Sequence, residues 1–316
     1  MGRKGLIFLL LFFICSCKAE RFNPVDPKSP YFRDQGAIVG TVYDWNAGYV
    51  EGARIELKPG LAFAISDASG QYQMSRTPTG SHAAVATRYW FCPETLQIEV
   101  FPASTAVVNF RLDHLPIFSD IRAATHNDNN IAGNDLYAVF FARVYDTDGW
   151  VWSDSVYCNI DSSLIWPMKD LGGDSFSLTL PEESLPDSSL EYLIGKRFTL
   201  LAIDNAGRSS VSDSFAVYRI IYEVPIALSP ILYAPQNPVT FKWFRIDTLI
   251  EHTYTLTVEQ IDSPDSVWVV EGIPSSSGEY FLPNRLPSGG SFRWCIKAVD
   301  TFGNSSRSRF EFFRVD

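Results

Sequence analysis

The side chains best placed for chemistry lie in one short stretch. Asp146-Thr147-Asp148-Gly149, with Asp154 close behind, sets carboxylates at alternating positions, and calcium takes about six to eight oxygen ligands of this kind. The next residues are Trp150, Val151 and Trp152, where an EF-hand loop would supply further oxygens and a distal Glu. Asp is also favoured in turns, because its carboxylate accepts from the backbone two residues on. Turn chemistry is the expected role here, and Asp146, Asp148 and Asp154 are the chain's best calcium candidates. No cofactor is implied.

The aromatic residues offer a second kind of chemistry. Trp150 and Trp152 flank Val151, so on a strand both point to one face. Facing solvent, they would stack on a sugar ring or a partner protein. Large aromatics bury ~150–250 Å² and usually go inside, so packing in a core or between domains is expected. Tyr89-Trp90-Phe91 is a similar run. Trp90, Trp150 and Trp152 are therefore the candidate ligand contacts.

Catalytic patterns are missing from the sequence. The four histidines, His82, His114, His126 and His252, are scattered, with no His-Glu-x-x-His, nucleophile elbow, Ser-x-x-Lys or phosphate-binding glycine loop. Paired carboxylates of the glycosidase type cannot be read from a count of acids. The expectation is a protein without enzymatic activity. A formal net charge of −10, spread without a basic patch, gives a phosphate backbone no footing, so nucleic acid is not an expected partner.

The N-terminus decides where such a chain would act. Arg3 and Lys4 precede an apolar run, Leu6–Ile14, and then Cys15-Ser16-Cys17, the layout of a secretory signal. About ten apolar residues are too few to span ~30 Å of hydrocarbon as a helix. The end of the run resembles the lipobox of bacterial lipoproteins: Ser16 and Cys17 fit it, whereas Ile14 stands for the usual Leu and Cys15 for the usual small residue. The resemblance implies residues 1–16 as a signal peptide and Cys17 as a lipidated N-terminus. It also implies attachment to a bacterial envelope membrane, with Lys18 pointing to the outer one. Multiple acyl chains, each contributing ~0.8 kcal/mol per buried methylene, would hold the protein there.

Residues 17–35 then read as a proline-punctuated tether. Beyond it, short alternating runs, Tyr, Phe, Trp and Val in abundance and turn signals every eight to twelve residues predict an all-β chain of small sandwiches. Three modules are expected: 36–115, 116–223 and 224–316. Beyond Cys17, one cysteine falls in each, Cys92, Cys158 and Cys295, so no module can close an internal disulfide and each must be held by its core.

Each module resembles a known family. GAIVGTVYD, VEGARIELKPG, SDASGQYQM, TPTGSHAAVA and VVNFRL follow in the order of the carboxypeptidase regulatory-like domain, a transthyretin-like sandwich, with Ala106–Leu112 as its closing strand. VYDTDGWVWSDSVY and FTLLAIDNAGRSS resemble Ig-like modules of bacterial surface proteins, with Leu136–Tyr145 a strong strand and Asn127-Asp128-Asn129-Asn130 a polar turn. FKWFRID, HTYTLTVEQI and EYFLPNRLPSGGSFRWCIKAVDTFGNSS resemble a fibronectin type III domain, preceded by a linker, Pro225–Gln236, that pairs as an edge strand or packs between domains. Such modules imply spacing or binding. The expected function is a non-catalytic, membrane-anchored envelope lipoprotein serving surface adhesion, scaffolding or assembly with envelope proteins. The alternative is a carbohydrate-binding accessory that holds polysaccharide through exposed aromatics.

Overall fold

In the computed structural model the chain is all-β and divides into two compact units after Asp113. The structure describes residues 22–315 apart from 24, 25, 27, 33, 61, 161–163, 235, 236 and 264–266. The expected signal, Cys17 and part of the tether lie outside the described residues. Among those described, no helix is long and apolar enough to cross a membrane.

The first unit is a two-sheet sandwich. One sheet runs Gln71–Pro78, Gln35–Asp44, Phe110–His114, Phe91–Cys92, with Thr105–Val107 also on Gln35–Asp44. The other runs Ala62–Ile65, Arg54–Lys58, Gly80–Thr87, Glu94–Val100. Strand alternation turns Ile38 and Val42 from one sheet, and Ile55, Leu57, Ala84 and Ala86 from the other, into a common core.

The expected closing strand, Ala106–Leu112, is broken in two. Its halves, Thr105–Val107 and Phe110–His114, both pair parallel with Gln35–Asp44. The Asn109 side chain explains the break, because its Oδ1 takes the Thr41 N–H at 2.9 Å in place of a ladder bond. Gly40 permits the kink: a Cβ there would lie 1.7 Å from the Val108 carbonyl oxygen.

The second unit holds two hydrophobic cores. The first packs Phe140, Ala142 and Val144 against Cys158, Phe198, Leu200 and Ala202. The second packs Phe241 and Trp243 against Tyr254, Leu256, Val258, Phe292, Trp294 and Ile296, each on the face its alternation predicts. Trp294 donates its indole N–H to the Pro230 carbonyl at 2.9 Å, and the Tyr254 hydroxyl accepts from the Ile246 amide at 2.9 Å. Both large side chains are thereby buried with their polar ends satisfied.

One ten-stranded sheet serves both cores. The strand Ile117–Asn130 pairs antiparallel with Gly133–Tyr145 on one side and parallel with Ser305–Arg307 on the other, matching His126 to Ser305, Asn127 to Ser306 and Asp128 to Arg307. The polar run Asn127–Asn130 is therefore strand, not turn; the chain reverses at Ile131 and Ala132. Buried polar groups lock this seam. Asn304 Oδ1 accepts from the Thr125 amide at 2.8 Å, Asn127 Nδ2 donates to the Tyr222 carbonyl at 2.8 Å, and Arg307 meets Asp128 at 3.1 Å.

The segment expected as a linker also joins the fold. Ile226–Ser229 pairs antiparallel with Thr240–Phe244, and Leu232–Tyr233 pairs parallel with Phe313–Arg314. Pro230 between them has no N–H to leave unpaired.

Candidate functional site: an acidic loop beneath two exposed tryptophans

Two strands from facing sheets end together at one edge of the first core of the second unit. Along Gly133–Tyr145 the inward residues are Phe140, Ala142 and Val144, which makes Asp146 the next inward position. Along Arg197–Asp204 they are Phe198, Leu200, Ala202 and then Asp204, which is buried. The apolar alternation of each strand thus finishes in a carboxylate.

The loop after Asp146 is tied from several directions. Asp146 Oδ1 accepts from the Asp148 amide at 3.4 Å. The Asp148 carboxylate accepts from the His114 amide, at 3.2 Å to Oδ1 and 3.1 Å to Oδ2. Asn205 clamps Trp150, its Oδ1 accepting from the Trp150 N–H at 3.0 Å and its own N–H donating to the Trp150 carbonyl at 3.0 Å. Gly149 is required by crowding, since a Cβ there would lie 2.2 Å from Asn205 Oδ1 and 2.5 Å from Asp146 Oδ2.

Electrostatics follow from this crowding. Burial, then a hydrogen bond with Asp148 and the charges of Asp148 and Asp204, push the Asp146 carboxyl up to about 7. Asp204 Oδ1 accepts the amides of Ala206 at 2.9 Å and Arg208 at 2.7 Å, while its Oδ2 is buried without a partner.

Asp154 does not join them. It lies exposed on the strand Val151–Ile160, its backbone carbonyl taking the Tyr157 hydroxyl at 2.9 Å. Among the described residues no group of three His, Cys, Asp or Glu is placed to hold a metal ion. Asp204 and Asn205, which lie within the run FTLLAIDNAGRSS, are the members that sequence reasoning missed. Their signal was the inward phase of Asp204 on an otherwise apolar strand face.

The tryptophans reverse the expectation of core packing. Trp150 is 55% and Trp152 51% exposed, and their rings meet edge-on with centroids 5.8 Å apart. The loop clamp holds Trp150 just before the strand, and the pair stands exposed there. In the first unit Tyr89 and Trp90 form a second exposed pair, centroids 4.8 Å apart. Trp90 has a φ of 68°, a conformation uncommon for a bulky side chain.

The cysteines behave as core residues or bystanders. Cys158 and Cys295 are buried and unpaired, and Cys92 is half-buried. Burial pushes the Cys158 thiol up to about 12 and the Cys295 thiol to about 11.

No known protein family matches the sequence, and no curated relative does. Solved structures align with the chain at low identity and low TM-score. A DUF3823 family protein from Bacteroides ovatus aligns at 9% identity over 58% of this chain and 98% of its own, with a TM-score of 0.28. BcpA, the major pilin subunit of Bacillus cereus, aligns at 10% identity over 86% of this chain and 91% of its own, with a TM-score of 0.30. The FN1–FN3 domains of chicken CNTN1 align at 10% identity over 89% and 94%, with a TM-score of 0.34. None of these likenesses is close enough to convey an activity.

Proposed function

We propose that the protein is a non-catalytic, lipid-anchored envelope module whose sandwiches present binding surfaces for envelope proteins or polysaccharide. The observation that supports this most is the Trp150–Trp152 pair, held at a sandwich edge by a loop whose backbone is fixed by Asn205 and Asp148. Exposing two indoles forfeits the stabilisation their burial would give, and a surface that does so on a tied loop is suited to stacking on a ligand. The shared sheet of residues 114–315 supports a scaffold, because its strand seam fixes one sandwich to the next. The first module is read as a transthyretin-like spacer on the motifs given above.

The sugar-binding form of this reading draws on the same pair. Edge-on rings offer two planes, one for each of two adjoining pyranose faces. Trp150→Ala and Trp152→Ala are expected to abolish retention on a glycan array or insoluble polysaccharide while leaving the melting temperature within about 2 °C, as for surface changes within about 0.5 kcal/mol. If the wild type binds no glycan but an envelope protein crosslinks at position 150, the adhesion form stands. If neither occurs, the surface reading fails. For the anchor, labelled palmitate is expected in the wild type and not in Cys17→Ala; equal labelling would refute it.

A further inference from the structure

We propose that the cleft at the seam of the second unit, between the hairpin tip 129–134 and the segment 309–311, binds a neutral sugar unit through Asn129, Asn134, Tyr222, Arg309 and Glu311. The cleft uses neither indole of the Trp150–Trp152 pair and stands whether or not that pair binds. Asn134 and Tyr145 lie near opposite ends of one strand, Gly133–Tyr145, which at ~3.4 Å per residue sets the cleft and the tryptophan loop roughly 40 Å apart.

The cleft exists because two paired strands diverge. Ile117–Asn130 and Ser305–Arg307 run side by side as far as Asp128 and Arg307. One position later the Ser308 N–H turns to the Ile296 carbonyl at 2.9 Å, while Asn129 stays in the hairpin opposite Asn134. The gap between the diverging chains, lined also by residues 224–227, measures about 480 Å³, within the ~300–1,000 Å³ of small-molecule sites.

Three segments far apart in sequence supply its side chains, and each is held in place by a neighbour. Asn129 Nδ2 donates to Asn134 Oδ1 at 2.7 Å, which keeps the Asn129 oxygen as an acceptor and the Asn134 amide nitrogen as a donor. Arg309 Nε donates to the buried Glu311 at 2.6 Å, so the exposed guanidinium is aimed while most of its N–H groups remain to be used. Tyr222 forms a wall. Its carbonyl accepts from Asn127 Nδ2 and its hydroxyl donates to Glu191 Oε1, both at 2.8 Å, so the residue is fixed at both ends yet 50% exposed. Groups ordered in advance lose little entropy on binding.

This set of groups selects among ligands. An anion would face the Glu311 carboxylate and a cation the Arg309 guanidinium, so the paired charges favour a neutral molecule. Each sugar hydroxyl both donates and accepts, which matches the donors and acceptors on offer, and a fixed aromatic face takes the C–H side of a pyranose ring. An extended peptide is recognised through main-chain ladder bonds, whereas the groups converging here are side chains.

Saturation-transfer NMR on the full chain tests this, with glucose, galactose, mannose, N-acetylglucosamine and tetra-alanine as millimolar probes. Transfer to at least one sugar is expected in the wild type, and equally in the Trp150→Ala, Trp152→Ala double variant. Asn134→Ala and Tyr222→Ala, both at exposed positions, are expected to weaken it by about fivefold or more, on the scale of one stacking contact. Arg309→Ala is expected to do the same; should it fail to fold because Glu311 is left buried and unpaired, the other two variants carry the test. No transfer to any of the four sugars, undiminished transfer in folded Asn134→Ala and Tyr222→Ala, or transfer to tetra-alanine in place of sugar would each overturn the site. Transfer lost only with the tryptophans would also remove the cleft, while leaving the surface reading of that pair standing.

Discussion

Asp67 closes a tight turn between strands of the two sheets of the first unit, Asp204 and Asp300 each close a hairpin in the second, and the Oδ1 of each accepts two turn amides at 2.7–2.9 Å. The glycine three positions on, Gly70, Gly207 or Gly303, has φ between 69° and 86°, which a Cβ would oppose. The cost of losing the Asp depends on its surroundings. Asp67 is exposed and its amides can turn to water, whereas the Asp300 carboxylate is wholly buried and also meets Asn304 and Arg219. Asp300→Ala is expected to lower unfolding free energy by about 2–4 kcal/mol in chemical denaturation, and Asp67→Ala by clearly less. Comparable losses would show that exposure does not govern these turns. The thiols divide by the same rule: Cys158 and Cys295, pushed up to about 12 and 11 by burial, are expected to resist alkylation at pH 8 until the protein is denatured. Fast labelling of Cys158 in the native state would contradict its placement in the core.

At the scale of elements, the decisive feature is the parallel pairing of Ile117–Asn130 with Ser305–Arg307. His126 lies in it, donating to or accepting from Ser305 Oγ at 2.8 Å and packing on Tyr137 with centroids 5.0 Å apart. Burial, with Lys297 adding to it and Asp128 opposing, holds its imidazole below the ordinary value of 6.5. In the unfolded chain the same ring takes its proton near that ordinary value, so the unfolded state binds more protons as pH falls below it. The stability His126 contributes is therefore complete above about pH 6.5 and is lost as pH falls through the folded value. Acidification from pH 7.5 to 5 is expected to destabilise the wild type more than His126→Gln, measured by urea midpoints. Parallel pH profiles would remove His126 from the seam's energetics. The same pairing gives the polar Asn127 and Asp128 a second strand partner, while Asn129 and Asn130 pair within the hairpin with Asn134 and Gly133. Asn127 spends its amide group on the carbonyls of Ile221 and Tyr222 and Asp128 its charge on Arg307, so burial at a seam replaces the hydration these side chains would otherwise require.

At the scale of the molecule, two cores joined by one ten-stranded sheet should lose structure together. Opening either sandwich strips the ladder bonds and the Asn304–Thr125 contact from the other. Residues 114–315 are expected to melt in a single calorimetric transition despite containing two cores. Two resolved transitions within that unit would show the seam to be weaker than either interior.

The order of strands and turns follows from the sequence because alternation and Asp-x-x-Gly turns are local properties. Tyr254, Leu256, Val258 and Phe292, Trp294, Ile296 are buried on the faces their spacing assigns. The separation of Cys92, Cys158 and Cys295 left cores, not disulfides, to hold the sandwiches. Periodicity fixes which residues share a face but says nothing about what covers that face. Trp150 and Trp152 therefore stand exposed where packing was expected, and Asn127 and Asp128, laddered in a local hairpin, gain a second strand partner 179 residues away in sequence. The meeting of Asp146 with Asp204 was likewise decided only when two facing sheets brought the ends of distant strands together.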